Sequence, residues 1–119
     1  MPEFKDMLKY FRIREGLSQS ELAEKLGMSA SRISMYEVGK REPDFESEEK
    51  IADFFNTDLN TLRGRDVETL LKDGNFVNKN GHRYASNPSY ERDLRNTRNK
   101  ILKNYEVLRP DFDYGQVDS

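Results

Sequence analysis

The segment GMSASRISMYE, residues 27–37, concentrates hydrogen-bonding side chains of a particular kind. Ser29, Ser31 and Ser34 are short donors and acceptors, Arg32 is a planar cation, and no carboxylate intervenes before Glu37. Hydroxyls beside a guanidinium suit a partner that offers ordered acceptors and fixed anions. DNA is such a partner: its major groove admits a helix, and the base edges there carry a distinctive donor and acceptor pattern. Yet the chain as a whole is acidic, with 20 Lys+Arg against 22 Asp+Glu and a net charge of −2. Net charge governs solubility and long-range steering, not a single face. The question is therefore which elements place these residues, and on which side.

Around this segment the punctuation is helical. Phe4, Met7, Leu8, Phe11 and Ile13 recur near a helical period, with Pro2 suited to open that helix and Gly16 to stop it. Ser18 and Glu21 are spaced as a capping box, and Leu17 with Leu22 as a hydrophobic staple, so a second helix is expected to bury Leu22, Ala23 and Leu26 and to end at Gly27. Ser29 can cap a third helix that turns Ile33 and Tyr36 inward and ends at Gly39. A loop, Lys40-Arg41-Glu42-Pro43, leads to a fourth helix capped by Asp44, with Phe45, Ile51, Ala52, Phe54 and Phe55 as its apolar residues and Asn56 as a left-handed stop. A fifth, starting at Asp58 or Asn60, carries Leu59 and Leu62 and closes at Gly64. A short turn between two helices, the second with its first residues free, is what a helix-turn-helix requires. With Ile33 and Tyr36 turned inward, Ala30, Ser31, Arg32, Ser34 and Met35 remain for the outside or the edge.

The second half reads differently. Val67, Leu70 and Leu71 make a short amphipathic turn, and Asn80-Gly81 stands between two short runs as either a small hairpin or a plain loop. Asn87-Pro88 starts a helix of about 20 residues that Pro110 ends. Along it Tyr90, Leu94, Ile101, Tyr105 and Leu108 form a thin apolar stripe. Between residues 79 and 103 seven cations (Lys79, Arg83, Arg92, Arg95, Arg98, Lys100, Lys103) face two anions (Glu91, Asp93), a local reversal of the overall charge. The stripe is expected to be a dimer seam or to pack back on the first half, with the basic residues as solvated flanks. Extra phosphate contact by those residues, or a site for a partner protein, are the competing readings.

The pattern LSQSELAEKLGMSASRISMYEVGKREP, residues 17–43, resembles the Cro/phage-repressor type of helix-turn-helix, also called the xenobiotic-response-element family, and the likeness extends over residues 4–64. It implies an all-α fold: a five-helix, lambda-repressor-like DNA-binding domain over residues 1–65, followed by a dimerisation or regulatory extension over 66–119. It also implies that Gln19 contacts phosphate and braces a recognition side chain. On the same grounds Ser29, Ala30, Ser31, Arg32 and Ser34, with Met35 at the edge, face bases and nearby phosphates, and Lys40 and Arg41 follow the sugar-phosphate backbone. Physical chemistry suits these roles. Gln19 sits at a positive helix end. A bidentate Arg–guanine pair is worth about 1–3 kcal/mol of discrimination, so Arg32 is expected to carry much of the direct readout. Glu48 and Glu49 depart from the family pattern, which has apolar residues there, and are expected to thin the core or to put acid on a partner face.

The implied function is a sequence-specific transcriptional regulator, a repressor of bacterial, phage or mobile-element origin. It would bind an inverted-repeat operator in double-stranded DNA as a homodimer. The alternative is an antitoxin or adapter whose residues 66–119 hold a partner protein, with DNA binding for autoregulation. No cofactor or metal is expected: the chain has no Cys, and His82 is its single His. It has no nucleophile elbow, phosphate-cradling Gly loop or carboxylate pair framed by an apolar pocket pattern, so no enzyme is expected. Without an apolar run at the N-terminus or of membrane-spanning length, a cytoplasmic, nucleoid-associated location is expected.

Overall fold

Five of the helices follow one another with local stop and start signals at every joint. In a computed structural model, which describes residues 3–68, 70 and 88–108, they are α1 (Phe4–Arg14), α2 (Gln19–Leu26), α3 (Ala30–Val38), α4 (Phe45–Phe54) and α5 (Leu59–Leu62); a sixth, α6, spans Pro88–Leu108. The described residues are all-helical apart from their turns, as the sequence predicts. Ser18, Ser29, Asp44 and Asp58 each accept the backbone N–H three residues on, at 2.7–3.1 Å, which satisfies one otherwise orphaned amide per helix start. At α2 the box is complete, because Glu21 accepts the Ser18 amide at 2.9 Å. Asn56 takes the left-handed conformation expected of it, with φ 54°. At Gly27, φ 68° lets the Met28 N–H reach back to the Ala23 carbonyl at 2.8 Å, so the chain reverses in a residue that needs no Cβ.

The core is one cluster that draws on every helix. Met7, Leu8, Tyr10, Phe11 and Ile13 of α1 are fully buried against Leu22 and Leu26, Ile33 and Tyr36, Ile51 and Leu62. Phe11 stacks on Phe55 with centroids 5.5 Å apart, and Phe4 meets Tyr36 edge-on at 5.8 Å. Helix α2 packs on α3, and α1 on both α3 and α5. Phe54, expected inside, is 37% exposed and Phe45 58%; at the end of α4 it is Phe55, one residue on, that turns to the core. Glu48 does not thin the core: its two oxygens each take an Arg63 nitrogen at 2.8 Å, tying α4 to the end of α5. That pairing holds the Arg63 guanidinium pKa above its ordinary value.

Helix α6 lies along α1. Leu94, Ile101 and Leu102 join the same buried cluster, with Val67 and Leu70 beneath the approach from α5. Arg98, read from sequence as part of a basic surface, is 2% exposed and its Nε donates to the Leu70 carbonyl at 2.6 Å. The Asn80-Gly81 turn and the tail after Leu108 lie outside the described residues.

Candidate nucleic-acid interface

Helix α3 has a back, two flanks and a front. Ile33 and Tyr36 form the back and are buried. One helical position round on either side lie Arg32 and Glu37, and both are engaged within the chain. The Arg32 Nε donates to the Tyr36 hydroxyl at 2.6 Å and its Nη2 to the Ser47 hydroxyl at 2.7 Å, with the guanidinium over the Tyr36 ring at 5.6 Å. The structure thus sets Arg32 against α4 rather than at the front of α3. The cause is its position one turn before Tyr36, on the same side of the helix.

On the other flank, Glu37 accepts both Arg12 Nε at 2.6 Å and Nη2 at 3.0 Å. Gln19 Nε2 adds a third donor at 3.2 Å, while Arg12 Nη1 holds the Leu17 carbonyl at 2.8 Å. The Arg12 and Glu37 side chains are 11% and 4% exposed, so this is a sheltered ion pair with a further hydrogen bond on each partner. It ties α1, the start of α2 and the end of α3 together. Gln19 therefore braces α3 through Glu37, a residue of its flank, rather than through a side chain of its front.

The front is what remains. Ser31 is exposed, Ser34 and Met35 are half-exposed, and Val38 is 58% exposed. Ala30, also half-exposed, sits at its edge. These residues repeat at 31, 34/35 and 38, the spacing of one helix face. Val38 was missed by the sequence reasoning, although that spacing alone points to it. Ser29 stands just before the face; its oxygen caps α3, which leaves the hydroxyl proton free to donate.

Beyond Val38, Lys40 and Arg41 are exposed, and their amides donate to the Met35 carbonyl at 2.9 and 3.3 Å, which holds the start of the loop on the end of the helix. Ser47 closes the far side. Its side chain and amide hydrogen-bond Asp44 and hold that carboxyl below the ordinary range, with smaller contributions from Arg32 and Arg41. Ser47 thus joins the cap of α4 to the flank of α3. Of the residues expected along the α6 stripe, Leu94 and Ile101 are buried within the chain; Tyr90, Tyr105 and Leu108 fall near the helix ends, where only the backbone is described.

A short turn on Gly27, a helix braced on both flanks and a front without carboxylates define a helix-turn-helix protein of the Cro/xenobiotic-response-element type. The helix-turn-helix family model matches residues 8–62. An HTH-type transcriptional regulator of Methanocaldococcus jannaschii, itself uncharacterized, is 40% identical over 58 residues, 49% of this chain and 88% of that protein. The HTH-type transcriptional activator BcrR of Enterococcus faecalis is 36% identical over 77 residues, 64% of this chain but 38% of its own length. The ImmF control region 10 kDa protein of Bacillus phage phi105 is 32% identical over 68 residues, 57% of this chain and 76% of that one. No solved structure matches the chain. The chain belongs to the helix-turn-helix family of DNA-binding transcriptional regulators, which are not enzymes. No helix among the described residues is long and apolar enough to cross a membrane.

Proposed function

We propose that the protein is a sequence-specific repressor that places α3 in the major groove of an inverted-repeat operator, one copy of the chain per half-site. The observation that carries this reading is the front of α3: Ser31, Ser34, Met35 and Val38 share one accessible face, with exposed Lys40 and Arg41 beyond its end. Within it the roles divide. Ser31 and Ser34 exchange hydrogen bonds with base edges, and Ala30, Met35 and Val38 offer apolar contact to thymine methyls. Ser29, Lys40 and Arg41 meet phosphates, which sets affinity and register without reading sequence. Arg32 and Gln19 hold the helix at the angle at which its front can read.

Two such helices in a dimer stand about 34 Å apart, one turn of the duplex. Because Leu94 and Ile101 are already covered by the chain's own core, the dimer contact uses other residues. Selection of bound fragments from genomic DNA tests the reading. It predicts recovered sites with two inverted half-sites one turn apart. It further predicts that Lys40→Ala weakens all sequences alike and flattens the salt dependence. Recovery of fragments without a shared sequence contradicts sequence-specific binding.

A further inference from the structure

Beside the end of α3 lies positive charge that the helix-turn-helix does not supply on its own. Lys5 and Lys9 of α1 and Lys100 of α6 line one shallow cavity of about 160 Å³ together with Val38, the last residue of the α3 front. Lys5 runs across the turn that follows: a Cβ added at Gly39 would sit 3.2 Å from its Cδ. The same cavity has two carboxylates on its wall, Asp6 and Glu37. Glu37 is balanced by Arg12 at 2.6 Å, and Asp6 accepts the Glu3 amide at 3.2 Å at the positive start of α1. Lys5 has a loose, exposed partner in Glu3 at 3.7 Å. Among the described residues, Lys9 and Lys100 take part in no ion pair.

A helix with its side chains is about 10–12 Å across, close to the width of the major groove, so a helix seated there has a sugar-phosphate rail close by at its sides and ends. Cations that rim the end of such a helix meet phosphate. We infer that Lys9 and Lys100 contact the DNA backbone next to the end of α3, so that α6 carries the footprint beyond the helix-turn-helix. This rests on α3 entering the groove. It gives α6 a second task besides covering α1, and it needs only the flank of α6 that adjoins Val38, not the buried stripe.

The test is the salt dependence of binding by the full chain to a labelled 30-base-pair duplex of random sequence, read by fluorescence anisotropy between about 50 and 200 mM salt. Each lost phosphate contact lowers the slope of log affinity against log salt by about 0.9, so Lys9→Gln with Lys100→Gln is expected to flatten it by about 1.8. Lys100→Gln alone, on an exposed side chain, is expected to give about half of that, with an unchanged melting temperature. Lys40→Gln serves as the comparison. A flatter slope for Lys40→Gln with no change for the Lys9 and Lys100 variants overturns this inference alone, and assigns those lysines to solubility. Failure of the unaltered chain to bind either this duplex or any genomic fragment overturns both this inference and the reading on which it rests.

Discussion

Helices α3 and α6 are held in place by different means. Helix α6 spends a stripe on packing, with Leu94, Thr97, Arg98, Ile101 and Leu102 all buried. Helix α3 buries only Ile33 and Tyr36, which leaves most of its circumference free. What it lacks in apolar area it makes up with polar cross-links on its flanks: Arg32 to Tyr36 and Ser47 on one side, Glu37 to Arg12 and Gln19 on the other. Helix α6 relies mainly on burial, with the Arg98 bond to the Leu70 carbonyl added to it, whereas α3 relies mainly on directional bonds. Directional bonds fix angle as well as position, and angle is what register on a duplex needs.

Breaking the two kinds of support separates them. The largest effect is expected from Glu37→Ala, which strands the Arg12 guanidinium in a sheltered site. Removing one partner of a buried pair costs about 3–5 kcal/mol, read as a lower denaturant midpoint and as lost DNA binding. Ile101→Ala removes a fully buried side chain from the α6 stripe. It is expected to cost about 2–5 kcal/mol by urea unfolding. Unlike Glu37→Ala, it should leave the α3 front intact below the unfolding transition, so that folded protein still selects the same DNA sequences.

The starts of α2 to α5 and the stops of the first five helices were legible because each signal is local; the start of α1 was not, since its cap is Glu3 and the Pro2 expected to open it lies outside the described residues. Ser18 with Glu21, Ser29, Asp44 and Asp58 act on amides within three residues, and Gly27 and Asn56 declare their own backbone conformation. Pro88, expected at the first position of a helix, is the first residue of α6, and Asn87 lies outside the described residues. The flank chemistry was not legible, because Arg12 and Glu37 stand 25 residues apart and Arg32 and Ser47 15 apart. Nothing in the sequence around Arg32 distinguishes a base reader from a strut; that depends on where α4 passes. Arg98 illustrates the same limit. Its charge placed it with its basic neighbours in sequence, whereas the fold surrounds it and supplies a carbonyl. Nothing around Glu37 or Glu48 in the sequence points to Arg12 or Arg63; those pairings appear only in space.

Smaller effects test the local supports of α3 and its neighbours. Ser29→Ala removes the cap of α3 and is expected to cost about 1 kcal/mol of stability, measured by thermal or urea unfolding. A part of its effect on DNA affinity should exceed that of Ser18→Ala, since only Ser29 adjoins the reading face. The acid limb of the stability profile should be shallow but present. Ser18 hydrogen bonds lower the Glu21 carboxyl pKa and Ser47 hydrogen bonds lower that of Asp44. A carboxyl depressed in the folded state adds stability above its unfolded pKa, and that stability is lost as pH falls through the folded value. Melting temperature followed from neutral pH down through the carboxylate range should therefore decline. Asp44→Asn, which can still cap, should remove part of that decline.

The division of α3 into a front that reads and flanks that position it is tested most directly by the preferred sequence of two variants. Met35→Ala and Arg32→Ala would each be used to select duplexes from a fully randomised library, and the enriched sites compared with those of the unaltered chain. The division predicts that Met35→Ala changes the preferred base at one position of each half-site. Arg32→Ala, by contrast, should keep the same site while binding every sequence more weakly. A new base preference in the Arg32→Ala variant, with the Met35→Ala site unchanged, would contradict it.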